Sequence, residues 1–233
     1  QRAHGAPIGD TPRHRFVVAT QNHDQIGNRA GGERLVHLVG TGAAKLAAGV
    51  VLLGPCTPLM FQGEEWGASA PFRFFADLQD KALRDAVIEG RSQEFAELGD
   101  HRDELADPFA LETFAQCRLR WDELQEQPHA EMLDWYRRLL ALRRREPELS
   151  DPRPPATQVE RDGDLVVMRR GSLVVLANFG DRTHPWRPDM GLPPELVLVS
   201  DDATAVEGCE IVLAPRSLAV VRHPVVGSGH AAR

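Results

Sequence analysis

The sequence predicts an α/β chain in two parts, a strand–helix–strand unit with parallel strands followed by a small antiparallel β-sandwich. Three observations predict it. Two compact apolar runs, Arg15–Thr20 and Thr57–Gln62, flank an almost wholly apolar helical stretch, Gly42–Leu53, and a helical crossover of this kind joins parallel strands. A proline-rich break, Ser150-Asp151-Pro152-Arg153-Pro154-Pro155, then interrupts the chain. Beyond it the residues become β-branched and helix-poor, the texture of short antiparallel strands. The expected boundaries are 1–149 for the first domain, 150–155 for a linker, 156–225 for the sandwich and 226–233 for a flexible tail.

Length and composition agree with a folded chain. With 233 residues, 42% apolar and 26% charged, a sizeable core can be buried and extensive disorder is excluded. Lys and Arg total 27 against 34 Asp and Glu, a net charge of −7. A mildly acidic surface matches neither nucleic acid nor an anionic membrane, so neither is an expected partner. Cys56, Cys117 and Cys209 are far apart and odd in number, which excludes a disulfide framework and a Cys-x-x-Cys metal site and fits a reducing, cytoplasmic compartment. No uninterrupted apolar run reaches the ~20 residues of a bilayer span, and no secretory leader is legible. The chain opens on Gln1 and a polar Gly/Pro/His stretch through Pro12, and reads as a piece of a longer sequence.

Taken in order, Arg15–Thr20 is a buried strand whose carboxyl end delivers the polar Gln21-Asn22-His23-Asp24. The helix Gly42–Leu53 is apolar on nearly every face and is stopped by Gly54, as left-handed terminator, and Pro55. Thr57–Gln62 is a second buried strand, closed by Gly63-Glu64-Glu65-Trp66-Gly67. Leu83–Leu98 is a weaker helix interrupted by Gly90. His129–Arg145 is a clear one, with Met132, Trp135, Tyr136, Leu139 and Leu142 on a single stripe and Arg143, Arg144 and Arg145 as a solvated last turn. The second part offers strands at Leu165–Arg169, Leu173–Asn178, Glu195–Ser200, Glu210–Ala214 and Ser217–Arg222, the first two joined across Gly171-Ser172 by a hairpin.

Chemistry concentrates in Gln21-Asn22-His23-Asp24-Gln25-Ile26-Gly27-Asn28-Arg29. In parallel α/β folds, side chains at strand carboxyl ends face the ligand. Amide, imidazole and carboxylate groups in one loop can hold several sugar hydroxyls, and the carboxylate can stabilise positive charge developing on a substrate. The same string also suits a purely structural polar turn in which Gly27 supplies a positive φ. Metal binding is disfavoured, because no further His or Cys stands at ligand spacing from His23 and Asp24. Gly31-Gly32 lacks the pattern of a phosphate loop. Glu64 and Glu65 beside Trp66 suit acid–base work with sugar stacking; the plainer expectation is one Glu hydrogen-bonded in loop packing and the other solvated.

The stretch Phe16–Arg29, followed by Gly32-Glu33-Arg34-Leu35, resembles the seventh-strand region of α-amylase-superfamily glycoside hydrolases, and within them the malto-oligosyltrehalose trehalohydrolase family. Thr57–Ser69, Pro71–Phe75, Asp107-Pro108 with Glu112-Thr113-Phe114, Trp135–Leu139 and Leu142–Arg144 extend the likeness over most of Ala3–Leu149. The resemblance implies the C-terminal part of a (β/α)₈ TIM barrel followed by the family's C-terminal domain. It implies hydrolysis of the α-1,4-glucosidic bond next to the trehalose end of malto-oligosyltrehalose, without cofactor or metal. By the same resemblance Asp24 stabilises the oxocarbenium-like transition state, His23 hydrogen-bonds the same sugar, and the stretch through Gln25, Ile26, Gly27 and Asn28 lines the substrate cleft. A retaining glycosidase also needs a nucleophile and a separate acid/base. In this family both lie on earlier strands, upstream of these residues, so the chain alone is expected to be inactive. Glu64 and Glu65 do not match those positions. An α-glucan branching enzyme or related amylase is the rival within the class, and a non-catalytic glucan-binding or subunit-packing module the rival outside it.

Overall fold

A computed structural model of the chain describes residues 9–97, 105–151, 153, 157–188 and 194–222. Its elements in chain order are β1 (Val17–Val18), α1 (His23–Gly27), α2 (Leu35–Leu53), β2 (Thr57–Pro58), α3 (Lys81–Glu97), α4 (Leu111–Gln116), α5 (His129–Arg145) and α6 (Pro147–Ser150). Then follow β3 (Gln158–Asp162), β4 (Leu165–Arg170), β5 (Leu173–Asn178), β6 (His184–Trp186), β7 (Glu195–Val199), β8 (Ala205–Glu207), β9 (Glu210–Leu213) and β10 (Ser217–Arg222). Contacts group the chain into two units, one from Gln1–Val18, Lys45–Pro58 and Arg137–Arg233, the other from Ala19–Ala44 and Leu59–Tyr136. Helices α2 and α5 each run on from one range into the next, so the grouping follows space rather than chain order. Of the proline-rich stretch 150–155, Pro152, Pro154 and Pro155 lie outside the described residues, as does the tail 226–233.

In the first unit β1 and β2 pair in parallel, Val17 opposite Thr57 and Val18 opposite Pro58, as the crossover rule requires. The ladder is much shorter than the apolar runs. Residues Arg13–Arg15 wind into a 3₁₀ turn before it, and Pro58 has no N–H to continue it. Nor is β1 buried: Val17 is 64% exposed, and Leu59 and Met60, just after β2, are also exposed.

Helix α2 starts earlier than its apolar stretch suggested and breaks at Gly40 (φ 78°, ψ 170°). By length and composition Leu35–Leu53 is long and apolar enough to cross a membrane, contrary to the sequence expectation. The non-helical residue at Gly40 nevertheless interrupts its hydrogen-bond ladder. Its second half is largely buried, with Ala44, Leu46, Ala48, Leu52 and Leu53 in the core. Gly49 lies so close to Leu218 of β10 that a Cβ there would sit 2.6 Å from its Cδ1.

The end of α2 is made differently from the expectation. Gly54 is not left-handed; arginines take the free carbonyls instead. Arg143 Nη1 donates to Leu52 O (2.6 Å) and Gly54 O (2.8 Å), and its Nη2 to Cys56 O (3.0 Å). Arg170, completely buried, donates from Nη1 to Leu53 O (3.1 Å) and Leu149 O (2.7 Å). Burial, and Arg143 beside it, pull the Arg170 guanidinium down to about 10. Arg143 is therefore not part of a solvated helix terminus, whereas Arg144 and Arg145 are exposed. The stripe of α5 is buried at all five expected positions.

The same unit carries two antiparallel sheets, of order β3-β4-β5-β10-β7 and β6-β9-β8. They share one hydrophobic cluster. Leu165, Val167, Val174, Leu176, Ala219 and Val221 come from the larger sheet, and Trp186, Ile211 and Leu213 from the smaller. β4 and β5 meet across Gly171 (φ 61°) and Ser172 in the expected two-residue hairpin. β5 is buried at every residue.

Removing three charge-assisted hydrogen bonds from the end of α2 should be costly. Arg143→Leu is expected to lower stability by about 2 kcal/mol or more, while Arg144→Leu changes it by less than about 0.5 kcal/mol. Urea denaturation of the two variants measures the contrast.

Candidate active site

The polar string after β1 is a capped turn of helix rather than a loop. Asn22 is the N-cap of α1, its Oδ1 accepting from Asp24 N (2.7 Å) and Gln25 N (3.3 Å). Gln25 Oε1 reaches back to accept from Asn22 N at 2.7 Å, which completes a capping box. Asn and Gln three residues apart were the sequence signal for it. The turn holds His23 and Asp24 outward, 67% and 71% exposed at their side chains, with Nε2 and Oδ1 3.3 Å apart. Gln25 and Asn28 are also exposed, and Ile26 and Gly27 are buried. Gly27 is an ordinary helical residue without a positive φ. The glycine the backbone needs is Gly32 (φ 67°), where a Cβ would stand 2.8 Å from the main chain of Phe72.

Beneath the turn lies a layer of buried polar side chains. Gln21 Oε1 accepts from Leu35 N (2.8 Å), and its Nε2 donates to Glu64 Oε2 (3.3 Å). The Tyr136 hydroxyl donates to Glu64 Oε1 (3.3 Å). Arg34, 0% exposed, donates from Nε to Ala70 O and from Nη1 to Gln62 O, both at 2.7 Å. Its Nη2 is buried without a hydrogen-bond partner among the described residues. Arg34, Gln21, Glu64 and Tyr136 line a cavity of about 10 Å³, close to the room one water needs.

Burial raises the Glu64 carboxyl above its ordinary value despite hydrogen bonds that favour the ionised form. The same burial, with Glu64 opposite, raises the Tyr136 hydroxyl and keeps it a donor. Glu64 thus follows the plainer expectation for the Glu-Glu pair, packed and hydrogen-bonded, while Glu65 is only half-buried. It sits in the 3₁₀ turn Glu64–Trp66, flanked by left-handed Gly63 and Gly67. A second buried carboxylate, Glu123, had no motif to announce it. It accepts from Trp66 Nε1 (2.8 Å), Ser69 N (3.0 Å) and Ser69 Oγ (2.6 Å). Burial would raise its pKa, but these bonds and His129 together pull it below the usual range. A groove of about 320 Å³ lies on the same unit, lined by Phe72, Phe75, Phe114 and Trp121 with Gln62 and Arg118. Among the described residues no group of three or more His, Cys, Asp or Glu gathers to hold a metal ion.

No protein-family profile matches the chain. It is 42% identical over 226 residues to malto-oligosyltrehalose trehalohydrolase of Rhizobium sp. (strain M-11), a match covering 95% of this chain and 37% of that protein. The protein of the same name from Brevibacterium helvolum is 38% identical over 225 residues, 95% of this chain and 38% of its own length. The chain is homologous to a part of the malto-oligosyltrehalose trehalohydrolases. It spans somewhat more than a third of the length of these curated relatives. Among solved structures, a putative α-amylase from Salmonella typhimurium superposes with TM-score 0.76 at 35% identity, covering 91% of this chain and 36% of that one. Bacillus licheniformis trehalose-6-phosphate hydrolase, at TM-score 0.57 and 19% identity over 88% of this chain and 42% of its own, shares the fold. The fold is thus that of a portion of an α-amylase-like protein, and the trehalohydrolase likeness includes the turn that carries His23 and Asp24.

Two outcomes follow from the geometry. Because Glu64 is protonated more readily folded than unfolded, it contributes stability below its ordinary value of 4.5 and loses it as pH rises through its raised folded pKa. Glu64→Gln, fixed in the neutral form, is expected to gain stability relative to the parent between pH 4 and pH 8; parallel urea titrations across that range measure it. Gly27→Ala should be tolerated, since its Cβ would make only ordinary contacts at 3.7 Å with the Phe72 ring. Gly32→Ala should cost more than about 1 kcal/mol, having both a positive φ and a main-chain clash; thermal melts of the two variants separate them.

Proposed function

We propose that this chain is the C-terminal part of a glycoside hydrolase that cleaves the α-1,4-glucosidic bond next to the trehalose end of malto-oligosyltrehalose, releasing trehalose. The observation that carries the reading is the identity with trehalohydrolases along 95% of the chain, together with an outward-facing Asp24 on a turn held by its own capping box. The parallel pair β1–β2 then supplies the last two strands of a (β/α)₈ barrel, and the two antiparallel sheets form the following domain. The nucleophile and the acid/base belong to the part of the relatives' length that this chain does not span. The wide spacing and odd number of Cys56, Cys117 and Cys209 support a reducing, cytoplasmic setting.

In this reading the glycosidic carbon becomes cationic as the leaving oxygen departs with a proton from the acid/base. The solvent-facing Asp24 offers its carboxylate to that cation, lowering its energy more than that of the neutral substrate, which is the condition for acceleration. His23 orients the same ring through its imidazole. The aromatic faces of Phe72, Phe75, Phe114 and Trp121 add apolar lining of the kind ligand sites share. The likeness to a putative α-amylase favours a second reading, hydrolysis of ordinary α-glucans. Its products would be malto-oligosaccharides without trehalose.

The test is product analysis with the full-length protein on malto-oligosyltrehalose. Trehalose should be released, and Asp24→Asn should cut turnover by about three orders of magnitude, on the scale of about 4 kcal/mol of lost charge stabilisation. Turnover of Asp24→Asn within tenfold of the parent would remove the role given to Asp24.

A further inference from the structure

Helix α3 lies far along the chain from the His23–Asp24 turn, yet one of its residues holds the far end of that turn. Arg91 donates from Nη2 to Gly27 O at 3.1 Å and from Nη1 to Asn28 Oδ1 at 3.3 Å. Its guanidinium carbon stands 4.3 Å from the ring centroid of Phe74 and 5.4 Å from that of the buried Phe95. Phe74 in turn runs beside the turn, its backbone nitrogen 3.8 Å from where a Gly27 Cβ would be. One planar cation therefore joins the last carbonyl of α1, the side chain at its C-cap and an aromatic strip.

We propose that Arg91 is a positioning residue for the substrate-facing turn: it fixes the C-terminal end of α1 and orients the Asn28 amide so that Nδ2 is offered to a sugar hydroxyl. This rests on the reading of the site as a glucan cleft. A five-residue helix is too short to hold itself. Its N-terminal end has the capping box; at its C-terminal end Asn28 N and Arg29 N donate to Asp24 O and Ile26 O, and the last carbonyl, Gly27 O, takes its donor from Arg91. Arg91 meets that carbonyl and Asn28 Oδ1 with a fork that engages two acceptors at once, a geometry lysine lacks. Because the fork takes Oδ1 of Asn28, the amide has one orientation, with both N–H groups directed away from the guanidinium. The exposed Asn28 then presents donors, the complement of a hydroxyl oxygen.

The experiment is a double-mutant cycle on the full-length protein, using Arg91→Met, Asn28→Ala and the pair, with maltoheptaose binding by calorimetry and steady-state hydrolysis of malto-oligosyltrehalose as readouts. Each single variant is expected to weaken maltoheptaose binding and raise KM by about tenfold, and the pair by little more than either alone, since both remove the same contact. Arg91→Lys, which keeps a cation at the turn but not the fork, should restore the melting temperature of Arg91→Met while KM stays raised. Binding and KM within twofold of the parent in Arg91→Met, or single effects that multiply in the pair, would overturn the proposal, as would full recovery of KM by Arg91→Lys. A non-additive binding cycle in a protein that releases no trehalose would uphold Arg91 and refute the trehalohydrolase reading. Trehalose release with an additive cycle would do the opposite, and a parent that neither binds maltoheptaose nor releases trehalose would refute both.

Discussion

A helical segment of five residues has barely one turn of hydrogen bonds, too few to repay the dihedral freedom it gives up. The outward placement of His23 and Asp24 therefore depends on restraints outside the turn's own ladder. Its first residues are tied by Asn22 and Gln25 to each other, its floor by Ile26 in the core, and the residue before it by Gln21 to the main chain of Leu35 and to Glu64. These restraints act on neighbouring positions and leave the two outward side chains free. The result is a tied backbone beneath two solvated side chains, the division of labour by which scaffolds position polar side chains for ligands.

Buried charge follows one rule in both units. Arg34 gives its guanidinium to the carbonyls of Ala70 and Gln62; Arg143 and Arg170 give theirs to carbonyls around the end of α2 and to Leu149 and Asp151. Main-chain oxygens, not carboxylates, are the acceptors. The arrangement satisfies groups that would otherwise cost free energy when buried, and it keeps the cation without a buried ion pair, whose desolvation often cancels its attraction. Glu64 shows the anionic counterpart: although the Phe61 backbone, Gln21 and Tyr136 all hydrogen-bond its carboxylate, burial wins and the proton is held more tightly. Glu123, with three donors and His129 close by, goes the other way. Two buried glutamates in one unit thus differ because donors approach Glu123 more closely, at 2.6, 2.8 and 3.0 Å against 3.3 Å from Gln21 and Tyr136 at Glu64, and because His129 adds its attraction.

Where a single element buries a regular stripe, periodicity revealed it. The five buried positions of α5 and the bounds of β5 came out as expected, because α5 keeps a helical apolar spacing and β5 is a short apolar run between turn residues. β3, β6 and β8 escaped because nothing in them alternates. Gln158-Val159-Glu160-Arg161-Asp162 is exposed throughout, β6 contains Pro185, and Ala205–Glu207 is three exposed residues; their strand state comes from neighbours. The end of α2 was misread for a related reason. Gly54-Pro55 looks like a local stop signal, but the acceptors there are met by Arg143 and Arg170, which only the tertiary fold brings near. At the candidate site, the polar string carrying His23 and Asp24 was legible as a unit following a strand, whereas the contacts of Arg34, Arg91, Glu123 and Tyr136 were not, since each is defined by a partner dozens of residues away.

The two-residue parallel ladder is the element least able to stand by itself. Parallel strands are normally covered on both faces and flanked by further strands, and a lone pair is marginal in water. Here Val17 projects into solvent beside a ladder that is two residues deep, and Leu59 and Met60 continue exposed where β2 ends. Apolar side chains on an open parallel pair are what the interior of a larger sheet looks like when its other strands are not part of the chain. The curated relatives are more than twice as long, which leaves length enough for such strands. The exposed ladder therefore agrees with a fold that is a portion of a larger α-amylase-like protein.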